Sequence, residues 1–300
     1  MTDQPDFLAQ FSAALVARAA AATNAVVAIR LGHERHLTGL VWQSDIVVAS
    51  EQSLPQREEF ELVAAGGAVL SAKLAGRDAS TNIAMLRLAT PLSAPPNRAG
   101  DAQTGALALA IGADGAGGVS ARLGLVNLAG AEWHSSRGGL IDRRIVLDLG
   151  LARREEGGPV FDTSGGLLGM STFGPRGRVI VIPTATIARI VSQLARDGHI
   201  ARGWLGVALQ AVAVPESLRE GAAQSSGLMV MSVIDDGPAA RAGVVAGDII
   251  LSVDGTSTQR WRKVARLFGA DSIGRKADIR LIRGGQVMTV QTTIAERHAA

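Results

Sequence analysis

Short apolar or alternating runs recur along the chain from residue 26 to residue 183, and polar or glycine-containing turns separate them. Such runs are typical of the short strands of an antiparallel β-barrel. A proline-rich stretch at 91–96 (P-L-S-A-P-P) divides them into two sets and predicts a crossover between two barrels. The first set comprises 26–31, 37–42, 46–50, 61–65, 69–74 and 83–88, and the second comprises 106–112, 119–128, 143–149, 160–162, 167–172 and 179–183.

Residues 184–198 have helical periodicity instead. Four apolar side chains recur at positions i, i+3, i+4 and i+7, and the segment ends at a glycine: Ile187, Ile190, Val191 and Leu194. This pattern predicts a helix with a glycine cap. Further along, residues 237–255 (G-P-A-A-R-A-G-V-V-A-G-D-I-I-L-S-V-D-G) predict a short alanine-rich helix, two glycine turns and a buried strand.

The first 24 residues predict an amphipathic helix. Apolar side chains recur at helical spacing, with Arg18 and polar residues between them: Phe7, Leu8, Phe11 and Leu15. Acidic residues stand where a signal peptide would carry basic ones, so the segment does not resemble a leader. As it stands, the sequence predicts a cytoplasmic protein, or a periplasmic one if a leader has been removed.

Composition fits two globular domains. The chain has 300 residues, 47% of them hydrophobic, and its 36 glycines suit many strands joined by tight turns. The net charge is only +3 and aromatic residues make up 3%, which argues against nucleic acid as a partner. No run approaches the roughly 18 apolar residues of a membrane span. The glycine-rich loop at 112–118 lacks the Lys-Ser/Thr of a phosphate cradle, so we expect no cofactor.

Residues 145–160 (I-V-L-D-L-G-L-A-R-R-E-E-G-G-P-V) carry the most informative pattern. The segment resembles the nucleophile loop of HtrA/Deg serine proteases, a strand followed by Asn-Pro-Gly-Asn-Ser-Gly-Gly-Pro. Residues 46–54 (I-V-V-A-S-E-Q-S-L) resemble the histidine segment of that family, and residues 81–88 (T-N-I-A-M-L-R-L) resemble its aspartate segment. The resemblance implies a mostly β fold, a chymotrypsin-like double β-barrel followed by a PDZ domain.

At the three catalytic positions, however, the sequence departs from the family. Glu51 stands in place of the histidine, Asn82 in place of the aspartate and Glu156 in place of the serine. A carboxylate is a weak nucleophile with no proton for a base to remove, and no base remains beside it. Arg154 and Glu155 occupy the oxyanion loop, where the family uses a glycine for backbone freedom. We therefore expect a pseudoprotease without catalytic residues.

Alternatives exist at these positions. If the barrels keep their geometry, Glu51 and Glu156 face each other, and their repulsion must be relieved by a shared proton, by Arg153 or Arg154, or by a hard cation with Asn82 as a further ligand. A protease or another hydrolase with a non-standard site is the enzymatic alternative. Ser164 lies in D-T-S-G-G, which is typical of a hairpin turn. The five histidines lie outside the triad contexts and are expected at the surface: His33, His36, His134, His199 and His298.

Residues 202–207 (R-G-W-L-G-V) resemble the opening of HtrA-type PDZ domains, and the likeness continues through 227–234 and 237–255 to a helix near 261–268. It implies that an extended peptide adds as a strand beside Val207, Ala208 and Leu209. Backbone N–H groups of Trp204, Leu205 and Gly206 would hold the peptide carboxylate. Apolar side chains of the peptide would meet two residues of the facing helix, Val264 and Leu267.

The expected organisation is thus an N-terminal helix (1–24), a trypsin-like pseudoprotease domain (25–198) and a PDZ domain (199–297). The expected function is that of a scaffold, adaptor or regulator. Its partner would be a protein or peptide with a hydrophobic or extended C-terminal segment. The family resemblance also implies that Phe7 and Phe11 help to build a homotrimer, and the alternative is that the N-terminal helix packs on its own barrel.

Overall fold

The computed structural model describes residues 6–32, 35–93, 99–260 and 264–296. These residues form two compact units, which are Met1–Trp133 with Leu140–His199, and His134–Gly139 with Ile200–Ala300. Within the described ranges, none of the helices is long and apolar enough to cross a membrane. Parts of four predicted segments lie outside the described ranges: residues 1–5 of the N-terminal helix, 94–96 of the crossover, 261–263 of the last helix and 297 of the PDZ domain.

Six antiparallel strands close the first barrel in the order β1-β2-β3-β6-β5-β4. Their inward side chains form one apolar core around Ile29, Val47, Leu62 and Leu86, each essentially without solvent exposure. Exposed and buried side chains alternate over Glu59–Leu62 of β4, whereas every residue of β3 is buried. The strands are β1 Val26–Arg30, β2 His36–Gln43, β3 Ile46–Ser50, β4 Glu59–Val63, β5 Val69–Asp78 and β6 Ile83–Leu88.

The second barrel closes in the order β11-β14-β13-β12-β7-β8, and β9 pairs with β10 beside it. Its core includes Ile145, Val160 and Val181. The strands are β7 Leu107–Ala113, β8 Val119–Gly130, β9 Trp133–His134, β10 Leu140–Ile141, β11 Arg144–Asp148, β12 Pro159–Asp162, β13 Leu167–Phe173 and β14 Val179–Pro183.

Two helices accompany the barrels, α1 (Phe7–Ala21) and α2 (Thr184–Asp197). Helix α2 buries the predicted apolar stripe, and Gly198 ends it in the left-handed conformation at φ 73°. In α1, Leu15 and Ala19 pack against a cluster to which both barrels contribute, Val26 from β1 and Leu109 and Ile111 from β7. Phe7 and Leu8 stay 74% and 68% exposed. Only the C-terminal half of α1 therefore packs on the barrel.

The C-terminal unit contains a sheet in the order β16-β17-β18-β20-β21, with β19 paired to β18 and β15 paired to β22. Two short helices flank it, α3 (Arg219–Ala222) and α4 (Pro238–Arg241), and the second is the predicted alanine-rich helix. The strands are β15 Gly203–Trp204, β16 Val207–Ala213, β17 Ser226–Val233, β18 Ile249–Val253, β19 Thr256–Ser257, β20 Lys276–Arg283, β21 Gln286–Thr293 and β22 Ala295–Glu296. Two closed barrels followed by this domain confirm the predicted fold class.

Candidate functional site

The three positions that correspond to a catalytic triad lie at strand ends. Glu51 directly follows β3 and begins a 3₁₀ turn, Glu51–Ser53. Asn82 directly precedes β6 and has a positive φ of 61°, a conformation that asparagine tolerates better than most residues. Glu156 follows a second 3₁₀ turn, Arg153–Glu155, and is only 3% exposed. Two of the three positions are thus held by elements of the first barrel and one by the second.

The Glu156 carboxylate is surrounded by uncharged donors. Its Oε1 accepts hydrogen bonds from Ser50 Oγ at 2.8 Å, Gln52 Nε2 at 2.6 Å and Thr172 Oγ1 at 2.8 Å. Its Oε2 accepts a hydrogen bond from Ser53 Oγ at 2.5 Å. Ser50, Gln52 and Ser53 belong to the first barrel, whereas Glu156 and Thr172 belong to the second. The carboxylate therefore fastens the two barrels together.

Asn82 makes hydrogen bonds to the residues that surround Glu156, through both its Nδ2 and its Oδ1. Its Nδ2 donates to Ser50 Oγ at 2.9 Å and to Thr172 Oγ1 at 2.7 Å, which leaves both hydroxyl protons free to point at Glu156. Its Oδ1 accepts from the backbone N–H of Gln52 at 2.7 Å. We call this set the Glu156 network, and its members are Ser50, Gln52, Ser53, Asn82, Glu156 and Thr172.

The network keeps Glu156 ionised. Burial raises the pKa of its carboxyl group, but the hydrogen bonds that it accepts, first among them that from Ser53, outweigh this and hold the pKa below the ordinary glutamate value. Every one of these donors turns a proton toward the carboxylate. A cation at this place would need oxygen lone pairs instead, so the donor set does not suit the metal alternative.

Glu51 has a partner of its own. Its Oε1 lies 3.9 Å from Nη1 of Arg77 on β5, and both side chains are close to 90% buried, at 11% and 13% exposure. Arg77 also donates to the carbonyl oxygens of Leu54 and Pro55. The arginine that we expected beside these carboxylates was Arg153 or Arg154. The structure instead pairs Arg77 with Glu51 and leaves the side chains of Arg153 and Arg154 exposed.

The backbone of the oxyanion loop is engaged internally. The N–H of Glu156 donates to the Arg153 carbonyl at 3.4 Å, within the 3₁₀ turn. The Arg154 carbonyl accepts from Thr38 Oγ1 at 2.8 Å. A serine protease aims the N–H of its nucleophile residue at the substrate oxyanion. The corresponding N–H of this chain is turned to its own loop.

The Glu155 side chain stabilises the same 3₁₀ turn through hydrogen bonds. It is 1% exposed, and its Oε2 accepts from Arg122 Nε at 2.6 Å and from the Ala152 N–H at 2.7 Å. Its Oε1 accepts from Ser120 Oγ at 2.9 Å. Burial raises the pKa of Glu155, but the Arg122 guanidinium and the other donors hold it below the ordinary value. The loop is therefore held in its present shape by a buried carboxylate that pairs with a partly exposed arginine.

The other candidate residues lie apart from this network. Ser164 Oγ donates to Asp162 Oδ1 at 2.6 Å in the turn between β12 and β13, as expected for a hairpin turn. His36 Nε2 lies 3.0 Å from the Ala113 carbonyl, and His199 Nδ1 lies 2.9 Å from the Asp197 carbonyl. His199 is exposed, whereas His36 and His134 are half-buried, so the surface expectation holds for only one of these three. His33 and His298 lie outside the described residues.

The second candidate site is a groove in the C-terminal unit, with a volume of about 220 Å³. We call it the PDZ groove. Of the predicted residues, six line it: Trp204, Leu205, Gly206, Val207, Leu209 and Val264. Ala208 and Leu267 are not among the lining residues, since Ala208 alternates to the outer face of β16 and Leu267 packs against the domain core. The prediction missed further apolar wall residues from β17, β18 and the segment after residue 264: Leu228, Ile250, Val253, Ala265 and Phe268.

The PDZ groove has free hydrogen-bonding capacity. Strand β16 pairs with β17 on one side and is an edge strand of its sheet. Among the described residues, the N–H groups of Leu205 and Gly206 have no hydrogen-bond acceptor, although their carbonyls accept from Ala239 and Ile234. Gly206 has a positive φ of 81°, a conformation that glycine adopts without strain. An open strand edge beside unpaired N–H groups suits an extended peptide with a terminal carboxylate.

Both compact units of the chain are similar to known protein domains. The family model of the trypsin-like peptidase domain matches residues 37–170, and that of the PDZ domain matches residues 203–294. A "Probable periplasmic serine endoprotease DegP-like" of Brucella suis biovar 1 (strain 1330) is 33% identical over 280 residues, which cover 89% of this chain and 54% of the relative. The chain belongs to the HtrA/Deg family.

Other members give the same picture. A protein of the same description from Pseudomonas putida (strain W619) is 28% identical over 267 residues, 86% of this chain and 55% of the relative. The chain thus spans about half the length of the curated HtrA/Deg relatives that it matches. The serine endoprotease from Yersinia pestis is 26% identical, with a TM-score of 0.65 over 95% of this chain and 98% of that one. HtrA-type protease AlgW with decapeptide, 22% identical with a TM-score of 0.67 over 96% and 99% of the two chains, shares the fold.

Proposed function

We propose that this HtrA/Deg chain is a non-proteolytic peptide-binding protein, a scaffold, adaptor or regulator whose PDZ groove captures an extended C-terminal segment. One observation carries the proposal. At the position of the nucleophile, a buried and ionised carboxylate accepts hydrogen bonds from Ser50, Gln52, Ser53 and Thr172. A carboxylate oxygen engaged in these hydrogen bonds is not available to attack a peptide carbonyl. Among the described residues, its partners include no imidazole that could act as a base.

The PDZ groove supports the binding half of the proposal. Its walls are mostly apolar, with Arg137 and Arg202 also in the lining, and Leu205 and Gly206 present unpaired N–H groups beside the edge of β16. A peptide that adds to this edge gains backbone hydrogen bonds, and its terminal carboxylate gains charge-assisted ones. The solved relatives bound to a decapeptide and to a tripeptide support the same use of the fold.

Location, assembly and domain limits belong to the same proposal. The relatives are described as periplasmic, which supports the periplasm over the cytoplasm. The exposed Phe7, whose ring stacks on Phe11 at a centroid distance of 6.1 Å, supports assembly of a homotrimer through α1. A helix at 1–24, a barrel domain at 25–198 and a PDZ domain at 199–297 are the proposed limits.

The alternative is an active endoprotease, as the names of the relatives state for those proteins. Purified protein incubated with unfolded casein and with a fluorophosphonate probe distinguishes the two functions. We expect no cleavage and no labelling, with the Yersinia pestis endoprotease as the positive control. Casein digestion that persists through purification to homogeneity would show that the non-proteolytic assignment is wrong. Calorimetry with hydrophobic-ended peptides tests the binding half, and heats equal to those of buffer would refute it.

A further inference from the structure

A second, larger cavity opens on the first compact unit and has a volume of about 1190 Å³. Its walls come from the ends of β1 and β2, from β4, from the turn that holds Gln52 and Ser53, from the loop after β7 and from the oxyanion loop. We call it the arginine cleft because five arginines line it: Arg30, Arg35, Arg57, Arg153 and Arg154.

Most of this positive charge is uncompensated. Arg30 pairs with Glu61, but the other four arginines form no ion pair with another described residue, and all four are exposed. Among the described residues, three acidic side chains line the cleft, and two of them have a cationic partner. Glu61 pairs with Arg30, Glu59 lies 3.5 Å from Lys73 Nζ, and Asp114 accepts from the backbone N–H groups of Ala116 and Gly118. A concave surface with an excess of one charge concentrates the field and attracts ligands of the opposite charge.

The side chains that line the arginine cleft indicate which class of ligand it would bind. A planar guanidinium donates two parallel hydrogen bonds to a carboxylate or phosphate, so five arginines without a lining lysine favour such groups. Proteins that bind single-stranded nucleic acid usually add aromatic faces on which bases stack, and the aromatic residue of the cleft, Phe60, is only 4% exposed. The volume exceeds the range of about 300 to 1,000 Å³ that is usual for small-molecule pockets. These features together favour an extended chain that carries carboxylates.

We propose that the arginine cleft binds an acidic peptide segment in an extended conformation, and that it does so independently of the PDZ groove. The site would recognise internal glutamates and aspartates, whereas the PDZ groove recognises a chain end. One protein would then hold two parts of a partner, or two partners. Arg154, which occupies the position of the oxyanion-loop glycine, and its neighbour Arg153 would contribute to this site through their side chains.

The test uses a fluorescent peptide of alternating glutamate and alanine with an amidated C-terminus, so that the PDZ groove has no carboxylate to capture. Fluorescence anisotropy at low salt should show saturable binding that weakens at physiological salt, because the attraction is electrostatic. The double variants Arg153→Glu/Arg154→Glu and Arg35→Glu/Arg57→Glu should each lose affinity by roughly tenfold or more, since each places like charges against the peptide. The melting temperature shows whether each double variant is folded, and a folded double variant that binds the peptide as tightly as wild type would contradict the proposal.

Arg176→Glu/Arg178→Glu is the matched control. These two arginines are exposed, lie in the turn between β13 and β14 outside the cleft, and change the net charge by the same amount. The control should bind like wild type. Absence of saturable binding at low salt, or an equal loss in the control, would overturn the proposal. So would displacement of the peptide by a single-stranded oligonucleotide at equal charge concentration, which would identify a general polyanion surface.

Discussion

The Glu156 network and the PDZ groove use hydrogen-bond donors in opposite ways. At Glu156, hydroxyl and amide donors converge on one buried carboxylate and are consumed by it. In the PDZ groove, the N–H groups of Leu205 and Gly206 stay without acceptors beside an open strand edge. The donors that surround Glu156 are therefore satisfied within the protein, whereas the PDZ groove lacks the acceptor that a ligand would bring.

This difference separates a structural polar cluster from a binding site more clearly than the residue types do. Both regions are rich in polar groups, and one of them occupies the position of a family catalytic centre. Buried donors that are satisfied within the protein rigidify it, while donors that are held in place and left unpaired are prepared for a ligand. The predictions below either convert one kind of region into the other or measure what each contributes.

The largest effect is expected from reconstruction of the triad. Glu156→Ser alone should give no cleavage of casein, because a hydroxyl beside Glu51 has no base. Adding Glu51→His leaves Asn82 to favour the wrong tautomer, a defect of about 10⁴-fold in the well-studied serine-protease triad. Arg154→Gly is also needed to free the oxyanion loop, where one lost donor reduces the rate by about 10² to 10³-fold.

We therefore expect measurable casein cleavage only when Glu51→His, Asn82→Asp, Arg154→Gly and Glu156→Ser are combined. The release of labelled fragments measures it, and each triple combination serves as a control. If the single Glu156→Ser variant cleaves casein as fast as the fourfold variant, the serine does not need the histidine base, its aspartate partner and the oxyanion-loop glycine, and the prediction is wrong.

Removal of the carboxylate should destabilise the first compact unit. Glu156→Ala removes the carboxylate acceptor of three hydroxyls, those of Ser50, Ser53 and Thr172. The Gln52 amide keeps two other acceptors, Thr172 Oγ1 and the Phe173 carbonyl. We expect the free energy of unfolding to fall by about 3 kcal/mol, because broken buried networks leave unsatisfied groups behind. Urea denaturation measures it. Glu58→Ala, an exposed glutamate of the same unit, is the control and should change stability by less than about 0.5 kcal/mol. Equal urea midpoints for the two variants would show that the Glu156 network does not stabilise the contact between the two barrels.

The fold follows from local signals, so much of it was predictable. Short apolar runs bounded by turns predict buried strands, and the runs 46–50 and 83–88 coincide with β3 and β6, which are buried on both faces apart from Arg87. The predicted helix at 184–198 is α2 with its Gly198 cap. In the segment near 261–268, the described part includes a 3₁₀ turn, Arg266–Phe268. Residues 264 and 265 are helical and this turn follows them, so the segment expected to be a helix has 3₁₀ geometry in its last three residues.

The site was less predictable because its contacts join distant residues. The sequence singles out Glu156, but Ser50, Gln52 and Ser53 reach it across more than 100 residues, and only the docking of two barrels brings them together. Arg77 follows an irregularity in the pairing of β5 with β6, between Leu74 and Gly76. Such bulges re-aim side chains in a way that no periodicity reveals. Hence the partner of Glu51 could not be predicted.

The PDZ groove can be probed from the ligand side without altering the protein. A hydrophobic-ended peptide with a free carboxylate should bind roughly 10 to 100 times more tightly than its C-terminal amide, since hydrogen bonds to a charged group contribute about 1.5–3 kcal/mol. Calorimetry measures both. A peptide of the same composition in scrambled order is the control. Equal affinities of acid and amide would place the carboxylate outside the Leu205–Gly206 N–H groups.

The smallest effect is expected from protonation of Glu156, which weakens the network without removing it. Its pKa is lowered in the folded protein, since the hydrogen bonds from Ser53 and its neighbours outweigh burial. The carboxylate therefore contributes stability that is present above the pKa of an unfolded glutamate and is lost as pH falls through the lower pKa of the folded state. Other acids with lowered pKa values, such as Glu155, titrate in the same direction and form a background. Urea midpoints of wild type and Glu156→Gln, which has no titrating group at this position, separate the two contributions. We expect the stability advantage of wild type over this variant to shrink on acidification, and an advantage that stays constant from neutral pH to below the folded pKa would show that Glu156 is not ionised in its cage.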